Sequence, residues 1–283
     1  MFVVADAPFA FITVDGNRAA SRPYDYIVVG GGTAGCPLAT TLSANYSVLV
    51  IERGGSPYGN PDIENGNVYG KLLGETNNYT SPAQTFISED GVTLARARVL
   101  GGATTLNAGF YSRASSKYVT KMEWDEGLVK DSYEWVEKQN AFKPHNVSSW
   151  SSAFRDGLRQ AGVVPYNGYT LDHVEGTKIS ASIFDNNGKR HTAADLLKTA
   201  NPNNIVVLLN ATVSRILFNS PTSQGNSLAI LFIQSFMFKY IYIQAWKCRL
   251  SMRICRQAEG PWSRIRGCQW SILSSSSHRI IVF

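Results

Sequence analysis

The chain has 283 residues, enough for one large domain or two, and a formal net charge of +6. That charge is local: from residue 228 onward eight Lys and Arg face a single acid, Glu259, whereas residues 1–227 carry 19 basic residues against 20 acidic ones. The charge therefore supports neither a nucleic-acid nor an anionic-membrane function, because the body is neutral and the tail's cations form neither a helical stripe nor a recognised nucleic-acid module. Cys36 stands alone in the body and Cys248, Cys255 and Cys268 lie in the tail, so neither a disulfide framework nor a metal site follows.

In chain order, Met1–Thr13 is apolar but carries Asp6 and Pro8 and lacks a basic start, so no secretory signal is evident. The run Tyr26-Ile-Val-Val29 predicts a buried strand. It is followed by the turn Gly30-Gly-Gly-Thr-Ala-Gly35, a helical stretch, a second strand Val48-Leu-Val-Ile51, and then Glu52. This order is a Rossmann-type dinucleotide grip. Gly30, Gly32 and Gly35 allow a tight turn, close approach of backbone to a pyrophosphate, and close packing of helix on strand. The helix start aims free N–H groups at phosphate. Glu52, 17 residues after Gly35, is placed to accept from ribose hydroxyls. A fingerprint this near the start, with Arg53-Gly-Gly-Ser after the acid, favours FAD over NAD. Cys36, just past the turn, reads as a small packed residue without a Cys-x-x-Cys partner.

Gly54–Asn78 is rich in Gly, Asn and Pro, lacks an apolar period, and predicts a long excursion over the surface or along the cofactor. Ser149–Ala161 spaces Trp150, Phe154, Leu158 and Ala161 as one stripe of an amphipathic helix, which is assigned to the core. Asn186-Asn-Gly188 marks a turn. A second helix begins near Arg190, with Thr192 as cap and Asp195 as its capping-box acid. Ile205–Val213 predicts another strand. Residues 228–243 are apolar but too short for the roughly 20 residues that span a bilayer; exposed, they would favour aggregation. Asn45, Asn78, Asn146 and Asn210 each open a glycosylation sequon.

Two blocks carry a family likeness. The lead-in Tyr24-Asp-Tyr26 and exit Glu52-Arg-Gly-Gly55, together with Arg96–Arg113, which contains Leu100-Gly-Gly-Ala-Thr-Thr-Leu-Asn-Ala-Gly-Phe110, resemble the glucose-methanol-choline (GMC) oxidoreductases. The turn and Ser88-Glu-Asp-Gly91 are most similar to the plant (R)-mandelonitrile lyase-like branch. The resemblance runs from about Tyr24 to about Gln224. It implies an α/β, Rossmann-like FAD-binding domain over residues 24–227, the start of an α+β substrate domain, a lead at 1–23, and an ill-fitting tail at 228–283. It further implies that Gly30, Gly32, Thr33, Ala34 and Gly35 meet the pyrophosphate, and that Glu52, Arg53 and Val213 serve the adenosine end. Val99, Ala103, Asn107, Ala108, Gly109 and Phe110 would lie along the flavin. Ala103 stands where many relatives carry a hydroxyl.

Members of that family are about twice as long, and their catalytic histidine lies in the C-terminal half. None of His145, His173, His191 and His278 matches that position, so no catalytic residue is assigned and the chain is expected to be inactive alone. The tail's Phe, Ile, Tyr, Lys and Leu content suits translated AT-rich DNA, as from a retained intron or shifted frame; a genuine alternative C-terminus is the other reading. Expected substrates for the family are small alcohols or cyanohydrins. Secretion is expected from the family and the sequons.

Overall fold

A computed structural model of the chain describes residues 8–68, 70–74, 81–218, 228–234, 240–245 and 279–282. Its centre is a five-stranded, wholly parallel sheet in the order Ile12–Thr13, Ile205–Leu208, Val48–Ile51, Tyr26–Val29, Arg279–Val282. Val48 faces Tyr26 on one side and Ile205 on the other, and the register continues to Ile51 opposite Val29 and Leu208. All four residues of both Val48–Ile51 and Ile205–Leu208 are buried, as expected of strands covered on both faces.

Alternation along the strands builds two apolar layers. Val28, Val48, Val50, Ile205 and Val207 pack with Cys36, Ala39, Ala194 and Leu197, which come from the helix Gly35–Ser43 and the 3-10 helix Ala193–Thr199. On the opposite face Ile27, Leu49, Ile51, Val206 and Leu208 pack with Ala19, Tyr24 and Ala211. This is the α/β Rossmann-type arrangement expected from the sequence.

Several elements depart from expectation for identifiable reasons. The single strand expected at Ile205–Val213 breaks at Asn210, whose φ of +56° is a left-handed conformation that Asn tolerates better than most side chains. Beyond the break, Ala211–Phe218 leaves the parallel sheet and pairs antiparallel with Leu228–Gln234, which pairs with Tyr240–Ala245. The helix begun by Thr192 forms with both halves of its capping box but winds as a 3-10 helix. The excursion after Gly54 holds short turns at Pro61–Glu64, Gly66–Val68 and Lys71–Gly74.

The largest departure is the helix Ser149–Gln160, capped by Ser148 as its sequence suggests but with none of its residues buried. Trp150 is 78% and Phe154 59% exposed, their rings stacked 6.5 Å apart, so the stripe assigned to the core is an outward apolar face. Periodicity reports that one face is apolar; it does not report what covers it.

Among the described residues no helix is long and apolar enough to cross a membrane, and no cluster of ligating side chains could hold a metal. His278, Asn78, Cys248, Cys255 and Cys268 lie outside the described residues.

Candidate functional site

The first glycine turn sits at the end of Tyr26–Val29, where the chain swings into the helix Gly35–Ser43. Gly30 has φ +98°, and a Cβ on Gly35 would run into the Gly30 carbonyl oxygen, so both positions demand glycine. At Gly32 the nearest atom to a notional Cβ is 3.9 Å away. No internal clash restricts Gly32; its openness suits the approach of a ligand.

The helix start lacks a protein cap. Ala34 makes no side-chain cap bond, whereas Ser115, Asp125 and Ser148 cap the helices they precede. Thr33 and Ala34 are exposed beside this uncapped end. A turn of this kind offers backbone donors and the positive dipole end to a phosphate.

Glu52 is 6% exposed and acts within the turn itself. Its Oε2 accepts from the Gly31 N–H at 2.9 Å and its Oε1 from the Gly54 N–H at 2.8 Å. An ionised carboxylate has about four acceptor positions, so capacity for ribose hydroxyls remains beside this structural duty. The Ala211 N–H donates to the Glu52 carbonyl at 3.0 Å, which brings the strand carrying Val213 to the same end of the site. The Arg53 guanidinium is turned to the hairpin of Ala83–Ile87 and Thr93–Ala97, donating to Gln84 Oε1 at 2.6 Å and to the Ala97 carbonyl at 3.3 Å.

The second block is clasped directly onto the first. The Gly101 N–H donates to the Gly31 carbonyl at 2.7 Å, the Leu100 N–H to the Gly55 carbonyl at 3.0 Å, and Val99 bridges Gly55. A Cβ on Gly102 would lie 2.7 Å from Gly32 Cα, and one on Gly31 2.5 Å from Leu100 Cδ1. Gly31, which the fingerprint spacing does not single out, is thus packed against the tip of Leu100 at this junction. Val99 is buried, while Ala103, Asn107, Ala108 and Phe110 are exposed; Gly109 is buried under Phe184. The residues inferred for the flavin thus form a surface beside the first glycine turn, with Val99 as its support.

Segment 184–195, read from sequence as a turn and a capped helix start, also underlies that surface. Buried Arg190 donates to the carbonyls of Ile63, Thr104 and Asn107. Thr104 Oγ1 accepts from the Ala193 N–H at 2.9 Å and donates to the Gly101 carbonyl at 2.6 Å. Thr192 carried a capping signal in the sequence, whereas the contacts of Arg190 lie with residues distant along the chain.

His191 lies between two carboxylates, 3.3 Å from Asp185 and from Asp195, against the Phe142 ring. The Asp195 carboxylate beside its Nδ1 raises its pKa above 6.5, outweighing burial. Burial pushes the Asp195 carboxyl up, but His191, Lys198 and the Thr192 N–H together hold it below the usual range. Burial likewise opposes and the Lys189 and Asn187 amides with His191 overcome it at Asp185. Burial pushes the Cys36 thiol up to about 12, and its Sγ contacts the Gly31 carbonyl at 3.2 Å, which fits the packing role expected for it.

A parallel sheet with an uncapped glycine turn at its carboxyl edge and a second glycine segment docked on that turn defines a flavoprotein-type dinucleotide-binding domain. The GMC oxidoreductase family model matches residues 24–239. The chain belongs to the GMC oxidoreductase family, whose cofactor is FAD, and the matched region is that family's FAD-binding N-terminal domain.

Among curated relatives, the chain is 54% identical over 209 residues to a sinalpyl alcohol oxidase of Nesocodon mauritianus, covering 72% of this chain and 37% of that one. It is 48% identical over 224 residues to an (R)-mandelonitrile lyase-like protein of Arabidopsis thaliana, covering 78% and 40% respectively. A solved pyridoxine 4-oxidase from Mesorbium loti superimposes with a TM-score of 0.58 at 22% identity, over 77% of this chain and 47% of that chain, a likeness of fold. The chain thus spans roughly two fifths of the length of the curated relatives it matches.

Proposed function

We propose that the chain binds FAD across the junction of its two glycine segments and that the whole protein acts on a small alcohol, with cyanohydrin cleavage as the second reading. The observation that carries this is the direct clasp of Gly101 on Gly31 beside an uncapped helix start. Gly30, Gly32, Thr33, Ala34 and Gly35 would hold the pyrophosphate through backbone donors. Glu52, Arg53 and Val213 would serve the adenosine end, and Val99, Ala103 and Asn107–Phe110 the flavin. Bound there, FAD would supply the hydride-accepting chemistry of an alcohol oxidation.

Among the described residues, neither His191 nor His145 is placed by this assignment as a base for the substrate hydroxyl. A base must be unprotonated near neutral pH, and His191, held between two carboxylates, favours the protonated form. His145 contacts the Asn186 amide at 2.9 Å. We therefore infer FAD binding without turnover by this chain alone. The likeness to an alcohol oxidase supports the first reading and that to a lyase-like protein the second. Exposed Asn45 and Asn146, both in sequons, support a secretory route.

The deciding experiment is purification followed by a visible spectrum. Stoichiometric flavin bands on a monodisperse species are expected, with neither oxidation of an aromatic alcohol nor cyanide release from mandelonitrile. Colourless protein in excess FAD would overturn the binding assignment, and turnover of either substrate would overturn the inactivity.

A further inference from the structure

Arg190 is only 4% exposed and precedes the capped 3-10 helix. Its Nη1 faces the Thr104 carbonyl at 3.1 Å, the Asn107 carbonyl at 2.8 Å and Asn107 Oδ1 at 3.0 Å, while Nε donates to the Ile63 carbonyl at 3.2 Å. The guanidinium lies 4.4 Å from the centre of the Phe184 ring, and that ring packs so closely on Gly109 that a Cβ there would collide with it. The backbone is fixed as well: the Arg190 N–H donates to the Glu64 carbonyl at 2.8 Å. A planar, always-charged fork is thereby anchored beneath the second glycine segment.

The consequence appears at Asn107, whose side chain is exposed. Its Oδ1 accepts from the Gly109 N–H at 3.1 Å as well as from Arg190. A carboxamide oxygen has two lone pairs, and both are engaged. Exchanging oxygen and nitrogen would set an NH2 group against two donors, so the hydrogen-bond network determines the orientation of the amide. Nδ2 is left as the free edge, and among the described residues nothing accepts from it.

We propose that Arg190 is a positioning residue that holds the Asn107 carboxamide with its donor edge outward, so that this segment presents a donor to an accepting oxygen or nitrogen of the flavin ring. This rests on the FAD assignment above.

The test is a set of FAD titrations on the full chain, read by flavin fluorescence and absorption, with thermal melts in parallel. Asn107→Asp keeps an oxygen for Arg190 and Gly109 but removes the outward donor. Loss of one such bond is expected to raise the FAD Kd roughly tenfold or more and to shift the flavin band, with little change in melting temperature. Arg190→Met is expected to weaken FAD binding in the wild-type background but to have no further effect on Kd in an Asn107→Ala background, while lowering the melting temperature in both. Arg190→Lys should recover only part of the affinity, since one ammonium cannot span the carbonyls of Ile63 and Asn107 together; if Arg190→Met does not fold, Arg190→Lys carries the same cycle. An Asn107→Asp chain that binds FAD as wild type does, or an Arg190 effect on Kd that survives removal of Asn107, overturns the inference. Wild-type protein that takes up no FAD overturns the FAD assignment along with it.

Discussion

The parallel-sheet region and the helix Ser149–Gln160 use the same kinds of side chain to opposite ends. In the sheet, Ile27, Leu49, Ile51 and Leu208 are almost fully enclosed by their own chain. On the helix, Trp150 and Phe154 present their rings to the outside, lining with Ala153, Gly157 and Leu158 a shallow apolar hollow. Apolar periodicity encodes a demand for cover. Whether this polypeptide meets that demand is decided by what the tertiary structure brings to the face: Val50 and Leu197 share one buried cluster, whereas among the described residues Trp150 meets no such layer.

The contrast between the regions is sharpest at Gly35. Gly35→Val would drive a side chain into the Gly30 carbonyl and is expected to cost more than about 3 kcal/mol and to abolish FAD uptake; a soluble variant with wild-type melting temperature would show that the turn is looser than described. Leu49→Ala, which empties a fully buried site, is expected to destabilise by about 2–5 kcal/mol in denaturant titrations.

A pH-dependent effect of intermediate size belongs to His191. Its pKa is raised in the folded state, so its contribution is complete below 6.5 and is lost as pH rises through the folded value. Asp185 and Asp195 are lowered, so theirs is present above 3.8 and lost as pH falls through their folded values. The three act together between these limits. His191→Gln should therefore lower the melting temperature more at pH 5.5 than at pH 8.5, by on the order of 2 °C; an equal loss at both pH values would remove the charge argument. The smallest change is expected for Phe154→Ser, within about 0.5 kcal/mol, with weaker binding of a hydrophobic dye. A core-sized loss there would mean that the face is covered after all.

Local chemistry was legible in the residues. The strands Tyr26–Val29 and Val48–Ile51, the turn between them and the Thr192–Asp195 capping box each lie within a short stretch of chain, and each formed where expected. What was illegible depends on partners far away in sequence. Gly31 matters because Leu100 crowds it, and Arg190 matters because Ile63, Thr104 and Asn107 turn their carbonyls toward it. The strand break at Asn210 arises where the Ala211 N–H turns to the Glu52 carbonyl, another pairing between distant residues.

The bond from Gly101 to Gly31 has a consequence for how the polypeptide matures. The floor of the first glycine turn is completed by residues that leave the ribosome long after the turn does, and closing so large a ring of chain carries an entropic penalty before any contact rewards it. On the proposed FAD assignment, nucleotide capture follows the earliest stage of folding: a nascent segment ending before Leu100 would hold the fingerprint glycines yet lack the surface against which they are set.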